Sequence, residues 1–106
     1  METIPKPKRI VDEELLERVR NQICLICGTW PCDPTHVRSR GAGGHDVDFN
    51  VAPLCRFHHI HQHRFGVFQF LKKYPEFRAW LEDHGWEINE ERADLHHPRI
   101  VNPFNR

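Results

Sequence analysis

Long hydrophobic runs are missing from this sequence. No apolar stretch approaches the roughly 20 residues that a membrane span needs, and the apolar fraction is only 39%. The expectation is therefore a soluble protein with no membrane partner. A net charge of either sign is missing as well, because 15 Lys and Arg balance 15 Asp and Glu. Bulk electrostatics alone do not single out nucleic acid as a partner. No basic segment followed by an apolar stretch and a small-residue cleavage site opens the chain, which leaves no argument for secretion. Cysteine is scarce, at four residues, and without an export signal these read as metal ligands rather than a disulfide framework. At 106 residues the chain is one domain, near the lower end of the size at which a core supports itself, where a metal staple helps.

What the chain does contain is concentrated in residues 55–63, Cys-Arg-Phe-His-His-Ile-His-Gln-His, with four histidines and a cysteine in nine positions. Such a density of borderline ligands on one expected helix points to a bound metal. Upstream, Cys24-Leu25-Ile26-Cys27-Gly28 is a C-x-x-C-G knuckle in which two thiolates converge and the glycine permits a tight turn. A redox pair would ask for a helix starting at the motif to depress a thiol pKa. The residues that follow, Gly28-Thr29-Trp30-Pro31, are not a helix start.

Taken in order, residues 1–10 read as a flexible basic arm carrying Lys6, Lys8 and Arg9, with little to bury. A helix is expected from Asp12 as N-cap, with Val11, Leu15, Leu16, Val19 and Ile23 as one apolar stripe. Residues 35–40 and 47–54 read as two short extended pieces around the turn Gly41-Ala42-Gly43-Gly44. Followed by the histidine-bearing helix, they make a ββα unit, and with the knuckle in front a treble-clef zinc fold. The aromatic-rich stretch at 65–74 reads as helical. Pro75 then opens a further helix with Phe77, Trp80, Leu81 and His84 on one face and Gly85 at its end. Residues 87–106 read as a tail that wraps the domain.

These motifs together resemble the HNH, or ββα-metal, endonucleases, in particular their phage-type group. The resemblance rests on Asp33-Pro34-Thr35-His36, Arg40-Gly41-Ala42-Gly43-Gly44, Asn50, Pro53-Leu54-Cys55, His58-His59, His63 and Gly66, and covers residues 24–66. It implies a small α+β, zinc-stapled domain over residues 11–86 with flanking helices, and a DNA endonuclease in the cytoplasm of a bacterial or phage-infected cell. DNA is the implied partner, with products ending in 5′-phosphate and 3′-hydroxyl groups. A structural zinc takes Cys24, Cys27, Cys55 and His58, with Cys32 left open as an alternative to His58.

The same resemblance makes His36 the general base, since a histidine that titrates near neutrality suits activation of water. Asn50 pins the glycine loop to the base-bearing strand. His59 and His63, spaced i and i+4 so that both lie on one helical face, hold a catalytic divalent cation: Mg²⁺, Mn²⁺, Ni²⁺ or Zn²⁺. His61 falls on another face and reads as a solvated helix histidine. Arg38 and Arg40 flank the site and are the expected nucleic-acid contacts. One departure stands out. Many relatives carry Asp or His immediately before the base as a further metal ligand, and here that position is Thr35, with Asp33, Asp46, Asp48 or a water molecule as substitutes. The rival reading is a treble-clef zinc module that binds DNA or protein without catalysis.

Overall fold

Four residues with no polar/apolar alternation, Val51-Ala52-Pro53-Leu54, lie at the centre of the molecule, as a strand must that is covered on both faces. The computed structural model describes residues 9–39 and 44–99. The expected arm through Lys8, the residues Arg40 to Gly43 and the chain from residue 100 on lie outside them. The order of elements is α1 (Glu13–Arg20), β1 (Asp33–His36), β2 (Val51–Leu54), α2 (Arg56–Lys73), α3 (Pro75–Asp83), β3 (Glu87–Asn89) and β4 (Asp94–His96). β1 and β2 pair antiparallel with Asp33 opposite Leu54 and His36 opposite Val51. The extended pieces are thus shorter than expected, and the first begins at Asp33 because Pro34 and Pro53 face each other where neither must donate to the ladder.

Alternation along β2 sorts its side chains between two packing regions. Val51 joins Leu15, Leu16 and Val19 of α1. Ala52 and Leu54 join the main core with Phe70 and Leu71 of α2, Phe77 and Leu81 of α3, and Trp86. Helix α1 begins as its sequence foretells: the Asp12 carboxylate accepts the Leu15 N–H at 3.0 Å. Its apolar stripe is narrower than the periodicity implies, since Val11 and Ile23, at 59% and 63% exposed, flank the helix instead of packing under it.

Helix α2 has two arms. Gly66, at φ 82° and ψ 161°, breaks the helical path, a conformation that β-carbon-bearing residues resist. The first arm carries the histidines, and the second turns Phe70 and Leu71 into the core. Pro75 occupies the first turn of α3, where a missing N–H costs nothing. Beyond it, the stretch expected as a tail contains the antiparallel hairpin β3–β4. Ile88 and Leu95 pack on the core, and His97 is buried with its Nε2 2.7 Å from the His84 carbonyl oxygen, its ring stacked on Phe49. Strands of three residues leave no readable periodicity, so this hairpin has no signature in the sequence.

Phe77 is fully buried, edge-on to Phe70 with ring centroids 5.0 Å apart. Phe77→Ala should therefore lower stability by about 3–5 kcal/mol. Phe57→Ala, at a position 68% exposed, should change it by less than about 0.5 kcal/mol. Urea denaturation of the two variants checks the contrast.

Candidate metal centre and histidine face

The knuckle closes through the Gly28 N–H to the Cys24 carbonyl at 2.9 Å and the Cys24 N–H to the Thr29 carbonyl at 2.8 Å, with Gly28 at φ 73°. The Ile26 N–H lies 3.4 Å from Cys24 Sγ. A hydrogen bond from the Leu25 N–H to the Pro53 carbonyl, 3.1 Å, joins the knuckle to β2. At the end of that strand Cys55 serves as the N-cap of α2, and His58 lies in the helix's first turn. The ligand atoms of Cys24, Cys27, Cys55 and His58 fall within 4.8 Å of one another.

Their separations test whether a zinc ion fits. A tetrahedral site with Zn–S near 2.3 Å and Zn–N near 2.0–2.1 Å has S···S edges of about 3.8 Å and S···N edges of about 3.5 Å. Cys27 Sγ is 3.7 Å from Cys55 Sγ, and His58 Nδ1 is 3.6 Å from Cys24 Sγ and 3.2 Å from Cys55 Sγ. The cluster could thus hold a structural zinc, with Nδ1 of His58 as its nitrogen donor. Burial, together with the neighbouring His61, lowers the His58 pKa and so favours the neutral ring that a ligand must be. The Cys27 thiol is pulled down to about 7, chiefly by the Thr29 hydroxyl 3.1 Å away. Cys32 points elsewhere, 3.7 Å from the Thr29 carbonyl oxygen, and burial beside the other sulfurs pushes its thiol up to about 11. It is a core residue outside the cluster.

A second constellation lies along β1 and the first arm of α2. Thr35 Oγ1 is 2.7 Å from His59 Nδ1, and the His59 and His63 rings lie 4.5 Å apart between centroids. Burial, assisted by His63, holds the His59 imidazole below its usual value, so it is neutral at neutral pH. The next residue on β1, His36, has its Nε2 2.7 Å from Asp46 Oδ1. His36, Arg38, Gln62 and His63 share a groove of about 390 Å³ with residues of β4. His63 also lines a neighbouring groove with His59, Arg20 and Arg56, and so forms the ridge between the two.

Asn50 clasps the loop that joins the strands. Its Oδ1 accepts the Arg38 N–H at 2.8 Å, and its Nδ2 donates to the Arg38 and His45 carbonyls at 3.1 and 2.9 Å. Gly44 closes the same clasp with its N–H to the Ser39 carbonyl, 2.8 Å. A β-carbon at Gly44 would meet the Arg38 carbonyl oxygen at 1.8 Å. Arg38 itself reaches the Leu95 carbonyl at 3.4 Å, while Arg40 is outside the described residues.

None of the three acids offered in place of a ligand at Thr35 is aimed at His59 alone. Asp33 pairs with Arg56 at 2.8 Å, Asp48 accepts the Phe49 N–H at 2.9 Å, and Asp46 is committed to His36, Arg9 and the Asp12 N–H. His61 is not a solvated helix residue: its Nδ1 lies 3.1 Å from the Tyr74 hydroxyl, and its ring packs edge-on against Phe65 and Phe70. The residue that sequence reasoning left without its role is Asp46, whose partners lie 10 to 37 positions away.

Fold and site together define a small α+β domain with a Cys3His cluster suited to zinc. The chain belongs to the family described as "Protein of unknown function (DUF968)", whose model matches residues 1–85. No curated protein and no solved structure matches it.

The purified protein should hold one zinc per chain. Its binding energy, about 10 kcal/mol in small zinc domains, is mostly folding energy, so strong chelation should abolish the cooperative thermal transition. Cys55→Ser should lose the metal and Cys32→Ser should keep it, as elemental analysis of the two variants will read.

Proposed function

We propose that this protein is a metal-dependent endonuclease of the HNH type that hydrolyses phosphodiester bonds in DNA. The observation that carries the reading is the junction on β1, where Thr35 contacts the metal-suited His59 of α2 and the adjoining His36 is backed by a carboxylate. A zinc module without catalysis needs neither contact. In this reading β1, β2 and the first arm of α2 form the ββα unit of a treble clef, and the Cys3His zinc holds it to the knuckle.

Phosphodiester hydrolysis needs an activated water and stabilisation of negative charge on the phosphorane and on the leaving oxygen. His36 acts as general base. Its Nε2 is engaged by Asp46, so Nδ1 is the nitrogen that takes the proton from water. His59 and His63 would hold a divalent cation, with Nε2 of His59 as its donor since Nδ1 meets Thr35; that cation would supply Lewis-acid stabilisation. Asn50 contributes by holding both ends of the loop, so that His36 keeps its place on β1. Arg38 supplies positive charge at the groove, where a phosphate backbone would run, and Arg40 is the further nucleic-acid contact that the resemblance implies.

The non-catalytic module remains the second reading because Thr35 stands where the resemblance expects an acidic or histidine ligand. Plasmid nicking across a titration of Mg²⁺, Mn²⁺, Ni²⁺ and Zn²⁺ separates the two. His36→Ala should keep fold, zinc and DNA binding while cleavage falls by about 10²–10⁴-fold, the usual worth of positioned general base catalysis. His59→Ala should be partly rescued by more cation, and His36→Ala should not. DNA binding without cation-dependent cleavage in the wild type would establish the module instead.

A further inference from the structure

We propose that Asp46 is a positioning residue that fixes His36 in its Nε2–H tautomer, leaving the lone pair on Nδ1. Its catalytic consequence rests on the nuclease reading, and the tautomer itself does not.

The carboxylate of Asp46 is fully buried and held by three donors from two segments of the chain, residues 9–12 and β1. Oδ1 lies 2.7 Å from His36 Nε2 and accepts Arg9 Nη1 at 2.9 Å, while Oδ2 accepts the Asp12 N–H at 3.0 Å. A guanidinium and a backbone amide can only donate. Two fixed donors on the carboxylate keep it ionised and an acceptor, so the proton in its contact with the imidazole sits on Nε2. Although burial alone would raise its pKa, the bonds from His36, the Asp12 amide and Arg9 outweigh that and hold the carboxyl below its ordinary 3.8.

The loop is built to deliver this group. Asn50 binds the His45 carbonyl, directly before Asp46, and Gly44 closes on Ser39. The Asp46 N–H then binds the Ile10 carbonyl at 2.9 Å, and the Ile10 N–H meets His45 Nδ1 at 2.8 Å. Residues 9–12 are therefore laced to the loop and support the ring from behind. Such a carboxylate orients an imidazole, selects its tautomer and stabilises the imidazolium formed when the base takes its proton.

The test is a two-bond ¹H–¹⁵N correlation of the full zinc-loaded chain at about pH 8, where an ordinary imidazole is neutral. His36 should show the proton on Nε2. In Asp46→Ala that preference should relax. Under saturating DNA, the nicking rate should fall by about 10²–10⁴-fold with KM for DNA little changed. Asp46→Asn keeps the side-chain shape should the alanine variant not fold, and it should slow nicking at least tenfold. Arg9→Ala removes one of the carboxylate's two fixed donors but leaves the Asp12 amide and the His36 contact, so it should relax the tautomer and slow nicking less than Asp46→Ala does. An Nδ1–H tautomer in the wild type, or an Asp46→Asn variant with wild-type tautomer and rate, would overturn the proposal. If no cation-dependent cleavage is found while the Nε2–H tautomer depends on Asp46, the nuclease reading falls and the positioning role stands.

Discussion

The strands and loop that carry His36, Asp46 and Asn50 are strung between the two halves of one candidate metal cluster. Cys24 and Cys27 precede β1, and Cys55 and His58 follow β2, so the two strands and the loop with Asp46 and Asn50 form the intervening segment. Closing a loop of the 28 positions between Cys27 and Cys55 costs about 3 kcal/mol from its length-dependent part alone. A two-stranded sheet with four residues per strand cannot offset that unaided. A zinc ion at the cluster would, and the core then needs only to cover what the metal has brought together. Cys24 and Cys55 are themselves buried members of that core, so a metal at the cluster and hydrophobic packing would stabilise the same arrangement.

On this frame the chain separates three tasks among neighbouring residues. The first turn of α2 serves the cluster through His58, and the adjoining His59 meets Thr35. One residue further along β1, His36 turns to the loop and Asp46. The imidazoles thus sit in different environments although three of them fall within four consecutive residues of α2. His58 lies among sulfurs, His59 beside a hydroxyl and another imidazole, His36 against a carboxylate, and His61 in an aromatic pocket. Four copies of one side chain acquire four chemistries from their partners.

The sequence was most legible where function and structure are local. The N-cap at Asp12, the helix opening at Pro75 and the C-x-x-C-G turn depend on contacts within a few residues, and each lies where its pattern puts it. The cluster was legible because ligand chemistry restricts which residues can join it. Asp46 was not, since a lone aspartate after a glycine run carries no mark of the partners that fold toward it from residues 9, 12 and 36. Val11 and Ile23 misled because helical period predicts which side faces inward and not how far the covering surface extends. The β3–β4 hairpin was hidden by its brevity, its inward residues being only Ile88 and Leu95.

The glycine at position 44 changes what kind of object the loop is. Surface connections usually tolerate substitution and insertion, and a run rich in glycine invites description as slack. At Gly44 the backbone instead runs so close to Arg38 that a single methyl group would overlap the carbonyl oxygen. Glycine is present there for want of room, as hydrogen is the one substituent that leaves the two strands of chain in contact. The closure behaves as a buckle drawn to its last hole, and the short path it enforces is what sets Asp46 at bonding distance from a ring ten residues back along the chain.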